Sequence, residues 1–222
     1  MASSRTPRSA TTPVGRPRDT HIDLAILEAA LALLDKKGYA GLVLEEVARQ
    51  AETTKPAIYR RWGSRQNLAL AALGMRLEGI QTPDTGCTIC DLNEGLNIFV
   101  AAFQRIRPEI LGPLHAACAA EPELHRTFMT TLFEPPRRSV LRMLETATAR
   151  GDLRPDLDIE LVLDMLGSLV HYRALFGHAA LETSDVENAV AALLSGIATD
   201  YPALVEHSRE LAGASPVHAV HA

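Results

Sequence analysis

The sequence predicts an all-α fold, on the basis of its composition and of the spacing of its hydrophobic residues. Of the 222 residues, 47% are hydrophobic but only 5% are aromatic. Ala and Leu supply most of this content and are strong helix formers, whereas the β-branched and aromatic residues that favour strands are sparse. Hydrophobic residues recur at the three- and four-residue spacing of helices, and no segment reads as a strand.

Four helices are predicted in the first third of the chain. The first begins at Thr20 and ends before Gly38, with its hydrophobic residues on one face. Thr54 is the predicted N-cap of the third helix and Ser64 that of the fourth. A three-residue turn joins the second and third helices, which is the spacing of a helix-turn-helix. The predicted bounds are 20–37, 44–50, 55–62 and 65 to about 80.

A larger helical body is predicted after a loop at 81–90. The third of its helices is expected to be interrupted at Pro135 and Pro136, because successive prolines remove backbone donors and clash with the preceding turn. The segment from Ala203 is expected to fray, and residues 1–19, rich in Ser, Thr, Pro and Arg, have nothing to bury. The predicted helices of the body cover about 91–107, 109–119, 122–149, 158–176 and 184–202.

The charge is distributed unevenly along the chain. Residues 1–65 carry a net charge of +4 and residues 66–222 a net charge of −9, giving −5 in total. This asymmetry indicates a basic end that faces phosphates and an acidic remainder that faces water.

The chain is expected to be cytoplasmic and to have no membrane partner. Three cysteines are too few for a disulfide framework and indicate a reducing compartment. The N-terminal segment lacks the hydrophobic core of a signal peptide, and no stretch approaches the roughly 20 apolar residues that span a bilayer.

The predicted helix-turn-helix carries side chains suited to DNA. Lys and Arg neutralise phosphates, and Thr and Tyr hydroxyls add hydrogen bonds that fix the register on the duplex. Apolar residues are expected where the second and third helices cross, namely Val47, Ala48, Ala51 and Ile58. The polar side chains expected to be exposed on the third helix are those of Thr54, Lys55, Tyr59, Arg60 and Arg61.

The stretch GYAGLVLEEVARQAETTKPAIYRRWGSRQNLALAAL resembles the DNA-binding domain of tetracycline-repressor-like (TetR) regulators. The resemblance extends over residues 22–73, and ARGDLRPDLD resembles part of the family's regulatory domain. It implies that Thr54, Lys55 and Tyr59 contact DNA, that Arg65 lies beside the backbone, and that Trp62 locks the recognition helix. Together with two arginines of the N-terminal segment, the candidate DNA-binding residues are Arg16, Arg18, Thr53, Thr54, Lys55, Ala57, Tyr59, Arg60 and Arg65.

Three residues depart from the family's pattern. Glu52 occupies a turn position that normally carries Gly, and a positive φ there would cost roughly 1 kcal/mol. Val43 replaces the usual Ser or Thr before the second helix and offers no capping hydroxyl. Ala57 replaces a frequent Thr. These differences concern the number of phosphate contacts rather than the fold.

The basic arm contains Gly15-Arg16-Pro17-Arg18, which resembles the core of an AT-hook. Extended Arg-Pro-Arg can lie along a narrow A·T-rich minor groove, where the negative potential is strongest. The other interpretation is a solvated basic tail.

The cysteine pair Cys87-x-x-Cys90 has the spacing of half a zinc site or of a redox pair. No second pair follows, and Cys118, His115 and His125 could complete a site only through tertiary folding. Structural cysteines are the simplest interpretation, and no metal is assigned.

Aromatic, Met and His residues in the body are either core or the lining of an effector cavity. Such stripes at helical spacing are more often core, but the TetR resemblance implies a cavity for a small apolar effector, with His115, His171 and Tyr172 as polar groups. The candidate residues are Phe99, Phe103, His115, Cys118, Phe128, Met129, Phe133, Met143, Met165, His171 and Tyr172.

The last two predicted helices carry broad apolar surfaces that could pair with a second copy as a four-helix bundle. A homodimer would present two recognition helices to successive major grooves of a pseudo-palindromic operator, and an effector would release it. The candidate interface residues are Leu163, Leu166, Gly167, Val170, Val190, Leu193, Leu194 and Ile197.

The resulting prediction is a repressor that needs no cofactor. Its parts are a flexible basic arm (1–19), a helix-turn-helix DNA-binding domain (20–66), an effector-binding and dimerisation domain (67–202) and a flexible tail (203–222). One alternative is a redox- or metal-responsive regulator that uses Cys87 and Cys90. An all-α enzyme is the other, and the absence of a phosphate loop, a nucleophile elbow and a His-x-x-x-His pair argues against it.

Overall fold

The computed structural model describes residues 20–79 and 81–214, and within these ranges the chain is helical with no β-strand. One isolated backbone bridge pairs Leu153 with Ala198. The helices are α1 (Thr20–Lys37), α2 (Leu44–Gln50), α3 (Lys55–Trp62), α4 (Arg65–Gly74), α5 (Thr88–Gln104), α6 (Pro108–Ala119), α7 (Pro122–Phe128), α8 (Glu134–Arg150), α9 (Ile159–Phe176), α10 (Thr183–Ile197) and α11 (Tyr201–Ala214).

The first three helices and the start of α4 form a small N-terminal head whose buried side chains are continuous with the core of the body. Helix α1 packs against α2 and α4, and α3 packs against α2 and α4. Helix α4 also contacts α6 and α7 and so joins the head to the body. Fully buried side chains at the centre of the head include Ile26, Leu34, Leu42, Val47, Ile58 and Leu68.

The body is built around α5, which packs against α8, α9, α10 and α11. Its start is fixed by a polar network: Asp91 accepts hydrogen bonds from the backbone and hydroxyl of Thr85, and Thr88 donates to Asp152. Arg150, at the end of α8, donates to both Thr88 and Asp152. These bonds hold the N-terminus of α5 against the end of α8.

The interruption expected at Pro135 and Pro136 takes a different form. A π-helical segment (Met129–Phe133) lies between α7 and α8, and the two prolines lie in the first turn of α8. First-turn prolines are tolerated because the N–H groups they lack have no partner within the helix. The irregular backbone is therefore displaced into the turn before the prolines.

The flexible tail expected from Ala203 is wrong for residues 203–214, which belong to α11. Asp200 caps this helix by accepting a hydrogen bond from the backbone N–H of Ala203 at 3.0 Å, and Pro202 lies in its first turn. Leu204 is buried, and α11 packs against α5. Burial of Leu204 contributes to holding α11 on the body.

Candidate nucleic-acid interface and internal cavity

Helix α3 is fixed at both ends and along its inner face. The Thr54 hydroxyl accepts the backbone N–H of Ala57 at 3.3 Å and caps the first turn. At the other end, the side-chain amide of Asn67 donates to the Trp62 carbonyl at 3.0 Å. Ile58 is only 1% exposed and points into the head. The opposite face of α3 is therefore presented in a single defined orientation.

Arg61 belongs to the inner face of α3, which corrects the expectation that it is exposed. Its guanidinium pairs with Asp23 of α1 and donates to the Ala57 carbonyl, and its side chain is only 12% exposed. Position 61 lies three residues after the buried Ile58 and so falls on the same side of the helix. Arg61 fastens α3 to α1.

The open face of α3 carries Thr54, Tyr59 and Arg60, all exposed, and Lys55 beside them. The Lys55 ammonium pairs with Glu45 of α2 at 2.5 Å and lies 5.8 Å from the centre of the Tyr59 ring. The hydrogen bond to Glu45 raises the pKa of Lys55, and the same bond lowers the pKa of Glu45. Lys55 is therefore cationic, but a carboxylate already holds it.

Other candidate residues flank this face. Thr53 and Ala57 are half-buried at its edge. The Arg65 guanidinium lies 4.3 Å from the centre of the ring of Tyr39, which is buried. Stacking on an aromatic ring limits the conformations of the arginine and leaves its charge available. Arg16 and Arg18 lie outside the described residues.

Two departures from the TetR pattern have visible consequences. Glu52 adopts a φ of +49°, the left-handed conformation that glycine tolerates better. Val43 precedes α2 as its N-cap without a side-chain hydrogen bond, and 46% of it is exposed. The turn and the start of α2 are thus held by the surrounding packing rather than by favourable local chemistry.

A cavity of about 710 Å³ lies in the body between α5, α6, α8 and α9 and the π segment. It is lined mainly by aromatic and aliphatic side chains. Eight of the residues singled out in the sequence surround it, namely Phe99, Phe103, His115, Phe128, Met129, Phe133, His171 and Tyr172.

Three of the candidate cavity residues lie elsewhere. Cys118 is fully buried in the core, and the thioether of Met143 packs where a side chain at Gly95 would otherwise stand. Met165 faces outward from α9 and is 56% exposed. The sequence pattern predicted that all three residues lie on helices that form the cavity. Which of them reach the cavity depends on the direction of each side chain around its helix axis.

Of the three polar residues predicted to line the cavity, His115 and Tyr172 are exposed, whereas His171 is largely covered. Its ring lies 4.2 Å from the centre of the Phe133 ring and 5.0 Å from that of Phe103. Burial lowers the pKa of His171 to about 4. The imidazole is therefore uncharged near neutral pH, with one donor and one acceptor nitrogen.

Charged residues at the cavity rim were missed in the sequence. Arg137 of α8 donates to Asp164 at 2.7 Å and also pairs with Glu160, both on α9. The hydrogen bond to Asp164 is the main reason that the pKa of Arg137 is raised. Glu134 lines the same rim. The four-residue spacing of Glu160, Asp164 and Ser168 is the sequence signal that one polar stripe of α9 faces this rim.

Cys87 and Cys90 form a disulfide at the start of α5, and both are buried. The Cys90 sulfur also lies 3.7 Å from the Ser208 hydroxyl of α11. Cys118 is a separate buried thiol whose pKa is raised by burial. Among the described residues, no group of three His, Cys, Asp or Glu side chains is placed to hold a metal ion.

The candidate dimer-interface residues differ in their exposure within one subunit. Gly167 lines the cavity, and six of the candidates are buried within their own subunit, namely Leu163, Leu166, Val170, Val190, Leu194 and Ile197. Leu166, Leu193 and Ile197 line a smaller groove between α9 and α10. The outward apolar residues of α9, which we call the outer α9 face, are Leu161, Met165, Tyr172 and Phe176, each more than half exposed.

An anchored helix with cations and hydroxyls on its open face, joined by a tight turn to α2, is the arrangement of a helix-turn-helix DNA-binding head. A family model described as bacterial regulatory proteins, tetR family, matches residues 26–72. A second model, the tetracyclin repressor-like C-terminal domain, matches residues 82–193. The chain belongs to the TetR family of DNA-binding transcriptional regulators.

Relatives and solved structures agree with this assignment. The uncharacterised HTH-type regulator YdeS of Bacillus subtilis is 27% identical over 184 residues, which are 82% of this chain and 93% of that protein. The DNA-binding transcriptional repressor TetR of Mycobacteroides abscessus is 27% identical over 155 residues, 69% of this chain and 82% of that protein. The crystal structure of the TetR family regulator SCO0332 superposes with a TM-score of 0.62 and 28% identity, covering 79% of this chain and 98% of that chain.

The matched family and the relatives are transcriptional regulators, which are not enzymes. In residues 20–79 and 81–214, no helix is both long enough and apolar enough to cross a membrane.

Proposed function

We propose that this protein is a homodimeric repressor that binds a pseudo-palindromic operator and leaves it when a small molecule fills the cavity in its body. The observation that carries the proposal is the open face of α3. Thr54, Lys55, Tyr59 and Arg60 lie there together, and the inner face is fixed by Ile58 and by the Arg61–Asp23 ion pair.

Side chains on the open face of α3 suit the two kinds of contact that recognition requires. The Lys55 ammonium and the Tyr59 hydroxyl would bind phosphates, and Arg65 would do so from the start of α4. Arg60 is exposed and long enough to reach a base edge, where arginine pairs best with guanine. Phosphate contacts set the register and base contacts provide the specificity.

The outer α9 face supports the homodimer. Leu161, Met165 and Tyr172 follow one another along α9 and are 57%, 56% and 57% exposed. The groove beside them is lined by Leu193 and by Gly196, which leaves room for close approach of another helix. Two such faces related by a two-fold axis would make a four-helix bundle. A dimer would place its recognition helices roughly 34 Å or somewhat more apart.

Contacts between body and head support release by a ligand. Thr131, in the π segment that lines the cavity, lies against Gly74 of α4, where a Cβ atom would come within 3.0 Å of its methyl group. The backbone of Tyr39 in the head donates to the Glu109 carbonyl of α6 at 3.1 Å. A ligand that shifts the π segment would move α4 and change the spacing of the two α3 helices. Coupling of about 1 to 3 kcal/mol would weaken operator binding from several-fold to over a hundredfold.

The proposal is tested by selecting DNA fragments from a random pool with the purified full-length protein. We expect an inverted repeat whose half-sites are about one helical turn apart. Arg60→Ala, which removes the side chain proposed to contact a base, should abolish the preference for this repeat, whereas Arg126→Ala, which removes an exposed cation from α7, should leave the selected sequence unchanged. Recovery of unrelated fragments, or equal enrichment by Arg60→Ala, would contradict the proposal.

A redox-responsive regulator is a second candidate, favoured by the Cys87–Cys90 disulfide. In such a regulator the two thiols would lose two protons and two electrons to an oxidant such as hydrogen peroxide, which is reduced to water. The Cys90 sulfur lies against Ser208, so the pair could influence the docking of α11 on α5. The test is operator affinity of the wild type and of the Cys87→Ser/Cys90→Ser variant, each reduced and oxidised. Equal responses of both proteins would remove this candidate.

A further inference from the structure

We propose that the cavity takes an uncharged, largely aromatic molecule with one hydrogen-bonding group, which pairs with the imidazole of His171. This inference rests on the proposed function and deepens it, because it names the chemical class of the effector.

The walls of the cavity favour a flat, apolar ligand. Rings of Phe99, Phe103, Phe128 and Phe133 line it, and Phe128 and Phe133 lie 5.5 Å apart at a tilt of 39°. Aromatic rings gain most from partners that stack with an offset or meet them edge to face. The volume of about 710 Å³ lies within the range of small-molecule sites. A fused aromatic ring system therefore matches the size of the cavity and the chemistry of its walls.

His171 provides the polar contact. In the described part of the chain, no other residue forms a hydrogen bond with its ring, although its neighbours Phe103 and Phe133 hold the ring in place. The neutral imidazole has one nitrogen that donates and one that accepts. A hydroxyl, carbonyl or amide on the ligand would satisfy a group that is otherwise turned toward an apolar space.

The charges around the cavity disfavour an anion. Arg137 is already paired with Asp164 and Glu160, and Glu134 adds a third carboxylate near the rim. A carboxylate or sulfate would meet an excess of negative charge and a guanidinium that is already engaged. Protonating His171 to attract an anion would also be costly, because burial holds its pKa near 4.

The inner end of the cavity also disfavours a cation. Burial is the cause of the lowered pKa of His171, and no carboxylate raises it. Asp164 is 66% exposed and already paired with Arg137, so it offers little stabilisation to a positive charge placed beside the imidazole. An uncharged group remains as the partner of His171.

The test compares three pyrene probes of similar size with the full-length protein in the absence of DNA, using fluorescence anisotropy. They are pyrene carboxamide, the nearly isosteric pyrene carboxylate, and pyrenylmethyl trimethylammonium. We expect the carboxamide to bind at least about tenfold more tightly than either charged probe, because burying an unpaired charge is costly. Equal or tighter binding of the carboxylate or the ammonium probe would overturn the inference.

Two variants of His171 locate the probe. His171→Phe keeps an aromatic ring but removes both nitrogens, and should weaken carboxamide binding by about fivefold to tenfold while leaving unsubstituted pyrene unaffected. His171→Gln restores a donor and an acceptor and should recover part of the loss. Unchanged carboxamide affinity in folded His171→Phe would refute the pairing with His171. Thermal unfolding of each variant establishes that it is folded.

The outcomes separate this inference from the proposed function. If the carboxamide binds with the expected selectivity but leaves operator affinity unchanged, release by ligand fails and the ligand class stands. If the operator is bound but the charged probes are preferred, the ligand class fails and the repressor stands.

Discussion

The role of Lys55 in the DNA interface can be tested through the salt dependence of binding. Lys55 lies on the open face of α3, with its ammonium paired to Glu45 at 2.5 Å and 42% of its side chain exposed. If phosphate replaces Glu45 as its partner on DNA, then Lys55→Ala removes one phosphate contact per subunit. Operator affinity should fall, and it should also become less sensitive to salt.

The magnitude follows from counterion release. Each phosphate contact on duplex DNA contributes about 0.9 to the slope of log affinity against log salt concentration. A homodimer carries Lys55 twice, so the magnitude of the slope should fall by about 1.8. Over a fourfold increase in salt, wild-type binding should therefore weaken about tenfold more than binding of the variant.

The assay is fluorescence anisotropy with a labelled operator at several salt concentrations. Arg126→Ala is the matched control, because Arg126 is also an exposed cation in an ion pair, with Glu123 at 2.6 Å, but lies on the body. The control should bind with the wild-type slope. Glu45→Gln, which removes the competing carboxylate, should raise operator affinity. A wild-type slope for Lys55→Ala would remove Lys55 from the interface.

Three further predictions concern stability, pH and assembly. Glu52→Gly should raise the free energy of unfolding by about 1 kcal/mol in chemical denaturation, because the φ of +49° at Glu52 is strained for most residues other than glycine. A variant less stable than the wild type would contradict strain at this turn. The wild type should lose up to about 3 kcal/mol of unfolding free energy as the pH falls from 6.5 toward 4. The reason is that the pKa of His171 is about 4 in the folded protein, so the unfolded chain binds the proton more readily. The same pH dependence in His171→Phe would refute this prediction. Met165→Glu should raise the dimer dissociation constant at least about tenfold in sedimentation equilibrium, because it places a charge in each copy of the outer α9 face. A variant that dimerises as tightly as the wild type would exclude this face as the dimer interface.

The head was predictable because its boundaries are set by neighbouring residues. The bounds of α2 and α3 agree with the sequence, and the hydroxyls of Thr54 and Ser64 cap α3 and α4 as predicted. The positive φ of Glu52 also follows from the TetR pattern, in which this turn carries Gly. Caps and tight turns act within three or four residues, so a single sequence contains the information that fixes them.

Features set by distant partners could not be predicted in the same way. Arg61 is held by Asp23, 38 positions earlier in the chain, and its sequence neighbours do not reveal this partner. Helix α9 is apolar on both faces, so its pattern could not show that Leu163 is buried in the subunit while Met165 faces outward. The aromatic residues of the cavity could be predicted from their residue type alone. The charged rim could not, because it depends on how α8 packs against α9.

Helix α9 forms a wall shared by two surfaces of the body. His171 turns toward the cavity, and its neighbour Tyr172 borders the cavity while standing 57% exposed on the outer α9 face. If the outer α9 face forms the proposed dimer interface, an occupant that rotates this helix must alter the monomer–dimer equilibrium. Thermodynamic reciprocity then requires subunit association to alter the occupant's affinity by the same factor. Ligand affinity measured at low protein concentration, where subunits separate, should then differ from that measured at high concentration.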